Sequence, residues 1–479
     1  MNTVGSEAGT TVDTPAGEKT QVDRPIARDL LTGLWTRASL HEKLEDMLRH
    51  GHAPALLALD LDRFQTVNDS TGIATGDAVL LRVAKRILGA APPGTIVARI
   101  SGDEFAVVVP NGASGERVAA RLLDLLGRPY AVNGFAVTLS VSIGLAVAPL
   151  HGTDADTLLR SANIALHHAE REGKNRWRRF EPLMQERATL RQSLESDLRL
   201  ALALNKLELR RTMGVEQFEV HYQPQIALES GRLTGFEALV RWRHPTRGLV
   251  PPGEFIPLTE EIGLIGLLGA WVIATACRAA MAWPAPTDGP ALHVAVNVSP
   301  LQLQERRALV GCIAGALAES GLPASRLEIE ITESALIGDA LGTLQAVKAL
   351  GVRLSLDDFG TGYSSLSQLA QYPFDRLKID RSFVHDLTMT VDPEDAGTGA
   401  RRMAMARWMI QAVASLGGGL GLTTVAEGVE TEEQAEIVRQ AAVTDMQGFL
   451  VSKAIPAEGL QQWMADFAMN PWRPRTPIR

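Results

Sequence analysis

Eight short runs rich in β-branched and aliphatic residues occupy the second half of the chain, and helix-length segments separate most of them. That strand count is typical of a closed α/β barrel, in which polar residues at the carboxyl ends of the strands mark the active-site face. Polar residues with this placement are Glu237, Asn297, Glu330, Asp357, Asp358 and Glu427. The sequence therefore predicts a modified TIM-like (β/α)8 barrel with these side chains at one rim.

The first two runs depart from a regular barrel. Phe218–Ile226 and the run beginning at Leu233 are separated by a short turn around Ser230 and Gly231. Such a turn is too short for a crossover helix, so the two strands should pair antiparallel as a hairpin. The last run predicts a strand near Met446–Ser452.

The predicted rim is strongly acidic. Carboxylates that converge on one site repel each other unless cations lie among them. The candidate ligands are oxygen donors without His or Cys, which favours magnesium, manganese or calcium over zinc. We therefore expect metal-assisted chemistry on a small anionic substrate.

Composition narrows the classes of function. A chain of 479 residues with net charge −8 indicates two or three domains and argues against a surface that binds nucleic-acid polymers. Cys277 and Cys312 form neither a metal-binding spacing nor a disulfide framework, so we expect core thiols in a cytoplasmic protein. The apolar run Ile262–Cys277 is shorter than the ~20 residues of a membrane span and predicts a buried barrel helix.

The chain before the barrel predicts three further segments. Residues 1–28 are polar and predict a disordered tail. Residues 29–180 show the order strand, helix, hairpin, helix, strand, with a helix at Asp77–Ala90 and a long strand region at Phe135–Val147, which predicts a ferredoxin-like α/β sandwich. Residues 181–216 predict a helical connector, since Leu190, Leu194, Leu198, Ala201 and Leu202 lie on one helical face, and the barrel follows at 217–470.

The barrel half resembles the EAL family of cyclic di-GMP phosphodiesterases. The resemblance rests on the order and spacing of these strings: HYQPQ, EALVRW, VNVSP, EITE, DDFGTGYSSL, LKID, AEGVE and QGFLVS. It implies metal-dependent hydrolysis of cyclic di-GMP to linear pGpG, with two Mg²⁺ or Mn²⁺ ions. We expect Glu237, Asn297, Glu330 and Asp357 to bind metal, and Asp358 with Glu427 to complete a second metal site.

Other residues receive roles from the same resemblance. Lys378 would lie beside the attacking water, so the expected catalytic residues are Glu237, Asp358, Lys378 and Glu427. Gln223, Arg241 and Gln447 would bind substrate; the even spacing of Arg241 from Glu237 puts both on one strand face. Glu333 and Glu430 would support the site, with Glu333 anchoring the glycine-rich loop at 360–365.

Residues 29–180 resemble the GGDEF family of diguanylate cyclases. The strings LLTGL, LDLDRFQTVND, SGDEF, SIGLA and GKNR carry the resemblance. It implies a cyclase-palm fold that binds GTP with Mg²⁺. Asp60 and Asp103 would hold the metal, Glu104 would assist the attack of the 3′-hydroxyl, and Asn68 with Asp77 would read guanine.

This first domain departs from its family's pattern. Ser101 replaces the first glycine of the signature, and Ile73 replaces a usual histidine. Gln65 and Glu170 stand where the family has phosphate-facing lysines, and PPGT replaces the product-inhibition motif. Phosphate binding should therefore be weakened, because a Glu repels the polyphosphate that a Lys attracts.

Three functions remain open from the sequence. The first is a cyclic di-GMP phosphodiesterase, expected as a homodimer, with a GTP-binding regulatory or degenerate GGDEF domain. The second is a bifunctional enzyme that also makes cyclic di-GMP from two GTP. The third is a non-catalytic cyclic di-GMP receptor, which would be expected to lack some metal ligands, whereas this chain keeps them.

Overall fold

The computed structural model describes residues 28–204, 217–285, 290–336, 340–360, 369, 371–388 and 396–474. The chain divides into two compact units between Gln192 and Ser193. A 23-residue helix, Pro182–Leu204, runs across this division. The predicted tail up to residue 27, the end of the predicted connector at 205–216 and the loop at 361–365 lie outside the described residues.

A five-stranded sheet forms the centre of the first unit. Its order is β2-β3-β1-β6-β7, and β1 pairs antiparallel with both β3 and β6. The central position of β1 follows from its sequence ALLALDLD, which is buried along nearly its whole length. The strands of this sheet are β1 (Ala55–Asp62), β2 (Ile96–Ser101), β3 (Glu104–Val109), β6 (Ser140–Val147) and β7 (Trp177–Arg179). Two further strands, β4 (Tyr130–Val132) and β5 (Phe135–Val137), form a separate antiparallel hairpin.

Helices cover this sheet. They span Arg37–Arg49, Phe64–Thr71, Ile73–Ala90, Gly115–Leu126 and Ala155–Arg171. The α/β sandwich is confirmed, with two local corrections. The predicted helix starting at Asp77 begins at Ile73 and follows a separate helix, and the predicted long strand Phe135–Val147 consists of β5 and β6.

The second unit contains the predicted closed barrel of eight strands. The order is β9-β11-β12-β13-β14-β15-β16-β8, and β8 closes the ring by pairing with β9. Pairs from β9 to β16 are parallel, whereas β8 is antiparallel to both of its neighbours, as predicted for the first hairpin. The barrel strands are β8 (Phe218–Ala227), β9 (Leu233–His244), β11 (His293–Asn297), β12 (Leu327–Thr332), β13 (Arg353–Phe359), β14 (Arg376–Ile379), β15 (Thr423–Ala426) and β16 (Asp445–Gln447).

Two short strands and a ring of helices complete this unit. The short strands are β10 (Gly248–Val250) and β17 (Ile455–Pro456). The helices are Pro252–Glu261, Ile265–Met281, Pro300–Gln304, Arg306–Ser320, Leu341–Lys348, Arg381–Asp386, Ala396–Leu420, Glu432–Gln440 and Ala457–Met469. Over the part of the chain that the structure describes, none of the helices is long and apolar enough to cross a membrane.

Three predicted segments differ from the structure in their bounds or in the burial of their residues. The last barrel strand is Asp445–Gln447, because the chain turns at Gly448, where a Cβ would lie 2.0 Å from the carbonyl oxygen of Val429. The predicted helix at Ile262–Cys277 spans Ile265–Met281. On the connecting helix Leu194 and Leu198 are buried, but Leu190 is 49 % exposed and lies outside the core.

Alternation along the strands separates two environments in the barrel. In β12 the apolar residues Leu327, Ile329 and Ile331 belong to the core that packs under the helices. Glu328 and Glu330, on the opposite face, are fully buried inside the barrel. The interior of this barrel therefore contains charged side chains, and the candidate site is built from those at its carboxyl rim.

Candidate active site

The polar residues predicted from the strand ends meet at the carboxyl rim of the barrel. Parallel register sets Asn297 opposite Glu330 and Asp357 opposite Thr332, and Gln223 pairs with Glu237 across the hairpin. The parallel strands place their downstream ends at one edge, so residues distant in sequence become neighbours.

Lys378 lies at the centre of this ring and is completely buried. Its Nζ is 2.6 Å from Glu427 Oε1 and 2.8 Å from Glu330 Oε2. The same nitrogen is 3.3 Å from Asp357 Oδ1 and 3.8 Å from Glu237 Oε2. Burial lowers the pKa of Lys378, but these four carboxylates outweigh it and hold the pKa well above its usual range.

Glu237 is the most firmly held carboxylate of the ring. Asn297 Nδ2 donates to one of its oxygens at 2.6 Å, and Gln447 Nε2 donates to the other at 2.6 Å. Burial acts to raise the pKa of Glu237, but Lys378 and the two amide donors prevail, so that the pKa lies below its usual value. Glu237 therefore keeps its negative charge.

Glu330 and Glu427 are buried like Glu237, but their pKa values shift in the opposite direction. Burial, with Glu237 and Asp357 nearby, raises the pKa of Glu330 well above its usual value despite Lys378. Burial and the neighbouring Asp357 and Glu237 raise the pKa of Glu427 to about 8, again against Lys378. Among the described residues no amide or hydroxyl donates to either buried oxygen of Glu330. These two carboxyl groups have affinity for further positive charge.

Asp357 and Asp358 reach the same side of the strand through an irregular backbone. Consecutive strand residues normally point to opposite faces. Here the register of β13 with β14 shifts between Leu356 and Phe359, and Asp358 adopts the left-handed φ of 55°. Ligand oxygens of Asp357, Asp358 and Glu427 consequently lie within 4.8 Å of one another. Burial first, and then Asp357 and Asp380, raise the pKa of Asp358 to about 6.

Asp380 is a further acidic residue beside Asp358 that the pattern of strand ends did not indicate. This residue lies two positions after Lys378, so the period of two in strand β14 could have indicated that it shares the same face. Its side chain also accepts from the backbone N–H of Ser382 and begins the helix Arg381–Asp386.

The residues expected to bind substrate occupy the margin of the ring. Gln223 accepts from Gln447 Nε2 at 3.0 Å and donates to the carbonyl oxygen of Ser452 at 3.2 Å. Arg241 is half-buried, and burial lowers its pKa. Arg241 and Asn297 line one cavity of about 410 Å³, whose other walls include Ile256 and Val272. The cavity reaches the ring at Asn297, which donates to Glu237.

The two expected supporting residues have different environments. Glu333 is buried, and its Oε2 accepts from the backbone N–H of Gly360 at 3.2 Å, where φ is 99°. Glu430 is exposed, and its backbone N–H donates to Gln434 Oε1 at the start of the helix Glu432–Gln440.

The first unit brings its own acidic residues together at the β2–β3 turn. Asp60 pairs with Glu104 across β1 and β3, and Asp103 stands in the turn between β2 and β3. Burial, followed by Asp103, Glu170 and Glu104, raises the pKa of Asp60 to about 7. Ser101 Oγ donates to Glu104 Oε2 at 2.7 Å, so serine is accommodated at this turn.

The expected guanine-reading residues are also adjacent. A Cβ on Gly76 would lie 1.9 Å from Asn68 Oδ1, so glycine is required for Asn68 to pack over this turn of helix beside Asp77. Gln65 and Ile73, which replace family residues, are exposed.

Glu170 contacts His167, a residue that the sequence analysis missed. His167 Nδ1 lies 3.0 Å from Glu170 Oε2. The hydrogen bond with Glu170, and the nearby Glu104 and Asp60, raise the pKa of His167 although burial opposes the shift. An imidazole therefore lies beside the glutamate that stands in place of the family's lysine.

Two known domain families match this chain. The model of the EAL domain matches residues 206–454, and that of the diguanylate cyclase GGDEF domain matches residues 26–176. The chain belongs to the EAL-domain family. It is a GGDEF–EAL tandem protein, in which the cyclase-like domain precedes the barrel.

Two relatives come from Pseudomonas aeruginosa. The bifunctional diguanylate cyclase/cyclic di-GMP phosphodiesterase MucR is 38 % identical over 90 % of this chain and 61 % of its own length. The cyclic di-GMP phosphodiesterase NbdA is 37 % identical over 93 % of this chain and 55 % of its own length. The chain thus spans little more than half of these curated relatives.

A solved structure shows the same order of domains. The S helix-GGDEF-EAL portion of Vibrio cholerae LapD, bound to c-di-GMP, matches 89 % of this chain and 96 % of that structure. The TM-score is 0.54 and the identity is 18 %, so this likeness concerns the fold alone.

Proposed function

We propose that the barrel hydrolyses cyclic di-GMP to linear pGpG and requires divalent cations to do so. The observation that supports this most is the buried ring of oxygen ligands around Lys378 at the rim. NbdA, which is named a cyclic di-GMP phosphodiesterase, adds support through its similarity over most of the chain.

The ligand set fits two hard ions such as Mg²⁺ or Mn²⁺. The fit rests on the buried oxygens of Glu330, which lack amide or hydroxyl donors among the described residues, and on the close approach of Asp357, Asp358 and Glu427. Glu237, Asn297, Glu330 and Asp357 would hold one ion, and Asp358 with Glu427 would complete the second site. Bound ions would supply a more acidic water and positive charge for the phosphoryl oxygens.

The chain's own residues prepare the reaction. Glu237 stays anionic because two amides donate to it. The ammonium group of Lys378 stabilises negative charge on the attacking oxygen, and Glu427, 2.6 Å from Lys378 Nζ, helps to hold that ammonium group in place. Arg241 is positioned to bind a substrate phosphate from the cavity that it lines. The water oxygen bonds to phosphorus, the bond to the 3′ oxygen breaks, and the proton that the water loses balances the proton that the 3′ oxygen takes up.

Substitution of Glu237 tests the proposal. Glu237→Ala removes one ligand and should reduce pGpG formation to background, measured by chromatography with Mn²⁺ present, while Glu319→Ala removes an exposed helical carboxylate and should keep wild-type turnover. Near wild-type turnover by Glu237→Ala would refute the metal assignment. A wild-type protein that binds cyclic di-GMP without hydrolysing it would support the receptor alternative.

For the first unit we propose weak GTP binding with Mg²⁺ and little or no cyclisation. Asn68 beside Asp77, and Asp60 near Asp103, support nucleotide and metal binding, whereas Glu170 in place of a lysine weakens phosphate binding. The test uses Glu237→Ala, which should not consume the product. Rapid formation of cyclic di-GMP from GTP by this variant would favour the bifunctional alternative, which MucR represents by name.

A further inference from the structure

A second set of polar side chains lies inside the barrel below the rim. Because strand side chains alternate, residues two positions upstream of the rim residues also point inward. They are Glu328, Ser355, Arg376 and Asp445, upstream of Glu330, Asp357, Lys378 and Gln447. All four are buried. Branched aliphatic residues usually fill such layers, so charged groups here call for an explanation.

Arg376 organises this lower layer. Its guanidinium donates to Asp445 Oδ2 at 2.9 Å and lies 3.7 Å from Glu328 Oε1. Its Nη1, the nitrogen nearest Glu328, donates to Gln225 Oε1 at 3.0 Å, and His293 Nε2 lies 2.8 Å from the same oxygen and 3.1 Å from Nη1. The third nitrogen, Nε, donates to Thr423 Oγ1 at 3.1 Å. Gln225 itself is fully buried. The two acids hold Arg376 in place while it faces the amide of Gln225.

These contacts determine which way the side-chain amides of Gln225 and Gln447 point. An arginine can only donate hydrogen bonds, so Gln225 must present its oxygen to Arg376 and its NH₂ group elsewhere. That group donates to Gln447 Oε1 at 2.9 Å. Gln447 must then direct its own NH₂ group away from Gln225, and it donates to Glu237 Oε2 at 2.6 Å. A reversed Gln447 would place a carbonyl oxygen against the carboxylate.

We propose that Arg376 and Gln225 are positioning residues that orient Glu237 for metal binding through Gln447. The proposal rests on the proposed function, because Glu237 is taken there as a metal ligand. Neither residue touches the substrate in this scheme. Their effect should appear in cation affinity, since partners that hold a metal ligand typically contribute about 10- to 100-fold to metal affinity or activity.

The test variant is Gln225→Met, which keeps the length of the side chain and removes its polar contacts with Arg376, His293 and Gln447. Mn²⁺ binding to the full chain is measured by calorimetry, and the Mn²⁺ concentration for half-maximal hydrolysis is measured separately. We expect Mn²⁺ binding and half-maximal hydrolysis each to require at least about 10-fold more Mn²⁺ in this variant than in wild type. The control is Tyr222→Phe on the same strand, whose buried hydroxyl has no partner among the described residues and which should match wild type.

A double-variant cycle separates a relay from general damage. Gln447→Met removes the donor to Glu237 directly, so adding Gln225→Met to it should weaken Mn²⁺ binding no further. Unchanged Mn²⁺ affinity in Gln225→Met, an equal loss in Tyr222→Phe, or additive losses in the double variant would each overturn the proposal. If Gln225→Met does not fold, Gln225→Glu keeps an acceptor for Arg376, removes the donor to Gln447 and should show the same loss. A wild-type protein without hydrolysis would refute the proposed function, and the calorimetric comparison would still decide the positioning role.

Discussion

Replacing Lys378 with methionine should make the barrel depend on divalent cations for its stability. The side chain is fully buried, and its ammonium group lies within 4 Å of four carboxylates. Removal of one partner from a buried ion pair costs about 3–5 kcal/mol. Glu330 and Glu427, whose pKa values burial already raises, can take up protons, so we expect a loss of about 3 kcal/mol at pH 7.

The measurement is thermal unfolding in EDTA and in excess Mn²⁺. For a domain of this size, a loss of this order lowers the midpoint by roughly 6 to 12 °C. Mn²⁺ should restore more of the midpoint in Lys378→Met than it adds to wild type, because the ion replaces the missing positive charge among the same oxygens. Lys348→Met is the matched control, since Lys348 is 34 % exposed, its ion pair with Asp375 is partly exposed, and such pairs contribute about 0–1 kcal/mol.

Two results would refute this reasoning. One is a midpoint for Lys378→Met in EDTA equal to that of wild type, which would mean that the carboxylates need no counter-charge. The other is an equal gain from Mn²⁺ in the variant and in wild type, which would mean that the ion binds elsewhere.

Three further predictions concern ions, protons and nucleotide. Hydrolysis should stop in excess EDTA and recover with Mg²⁺ or Mn²⁺ but not with Ca²⁺, whose looser coordination misplaces the water; full activity in EDTA contradicts this. The folded pKa of Glu427 is raised to about 8, so the native state keeps a proton that the unfolded state has released. Without metal, the free energy of unfolding should therefore fall as the pH rises from about 5 to about 8. Glu427→Gln should flatten this slope in pH-dependent urea unfolding, and an unchanged slope would exclude Glu427 as its source. Glu170→Lys should tighten GTP binding in calorimetry, and Asp77→Ala should weaken it. Identical GTP affinities in the two variants would contradict the assigned nucleotide site. A GTP titration of cyclic di-GMP hydrolysis would show any regulatory effect of the bound nucleotide.

The sequence predicted the barrel and the position of the polar residues at its rim because both depend on regular features. Strand alternation and parallel register suffice to bring Glu237, Asn297 and Glu330 to one rim once eight strands are recognised. The antiparallel first hairpin was equally predictable, since the turn between β8 and β9 leaves no room for a helix.

Irregular backbone was the part that the pattern could not predict. Alternation would send Asp358 to the face opposite Asp357, and a shift in register together with a positive φ reverses that. The hairpin of β4 and β5 has a local signal in the sequence: Asn133 and Gly134, which lie between these two strands, both have positive φ, as expected for an Asn-Gly hairpin turn. The exposure of Leu190 depends on tertiary packing, which helical periodicity alone does not contain.

The reversed first strand also changes where the polypeptide enters the barrel. In a regular barrel the first strand starts at the face opposite the carboxyl rim, but β8 runs from the carboxyl rim downward, so Phe218 pairs with Trp242 above Glu237. The helix that precedes it is attached at that same face, where Asp197 contacts His244 Nε2 at 3.1 Å and Ser193 accepts from Arg247 at 3.0 Å. Any rotation of this helix would act on the strand that carries Glu237 and Arg241, so the barrel receives its upstream connection at the rim where its polar residues meet.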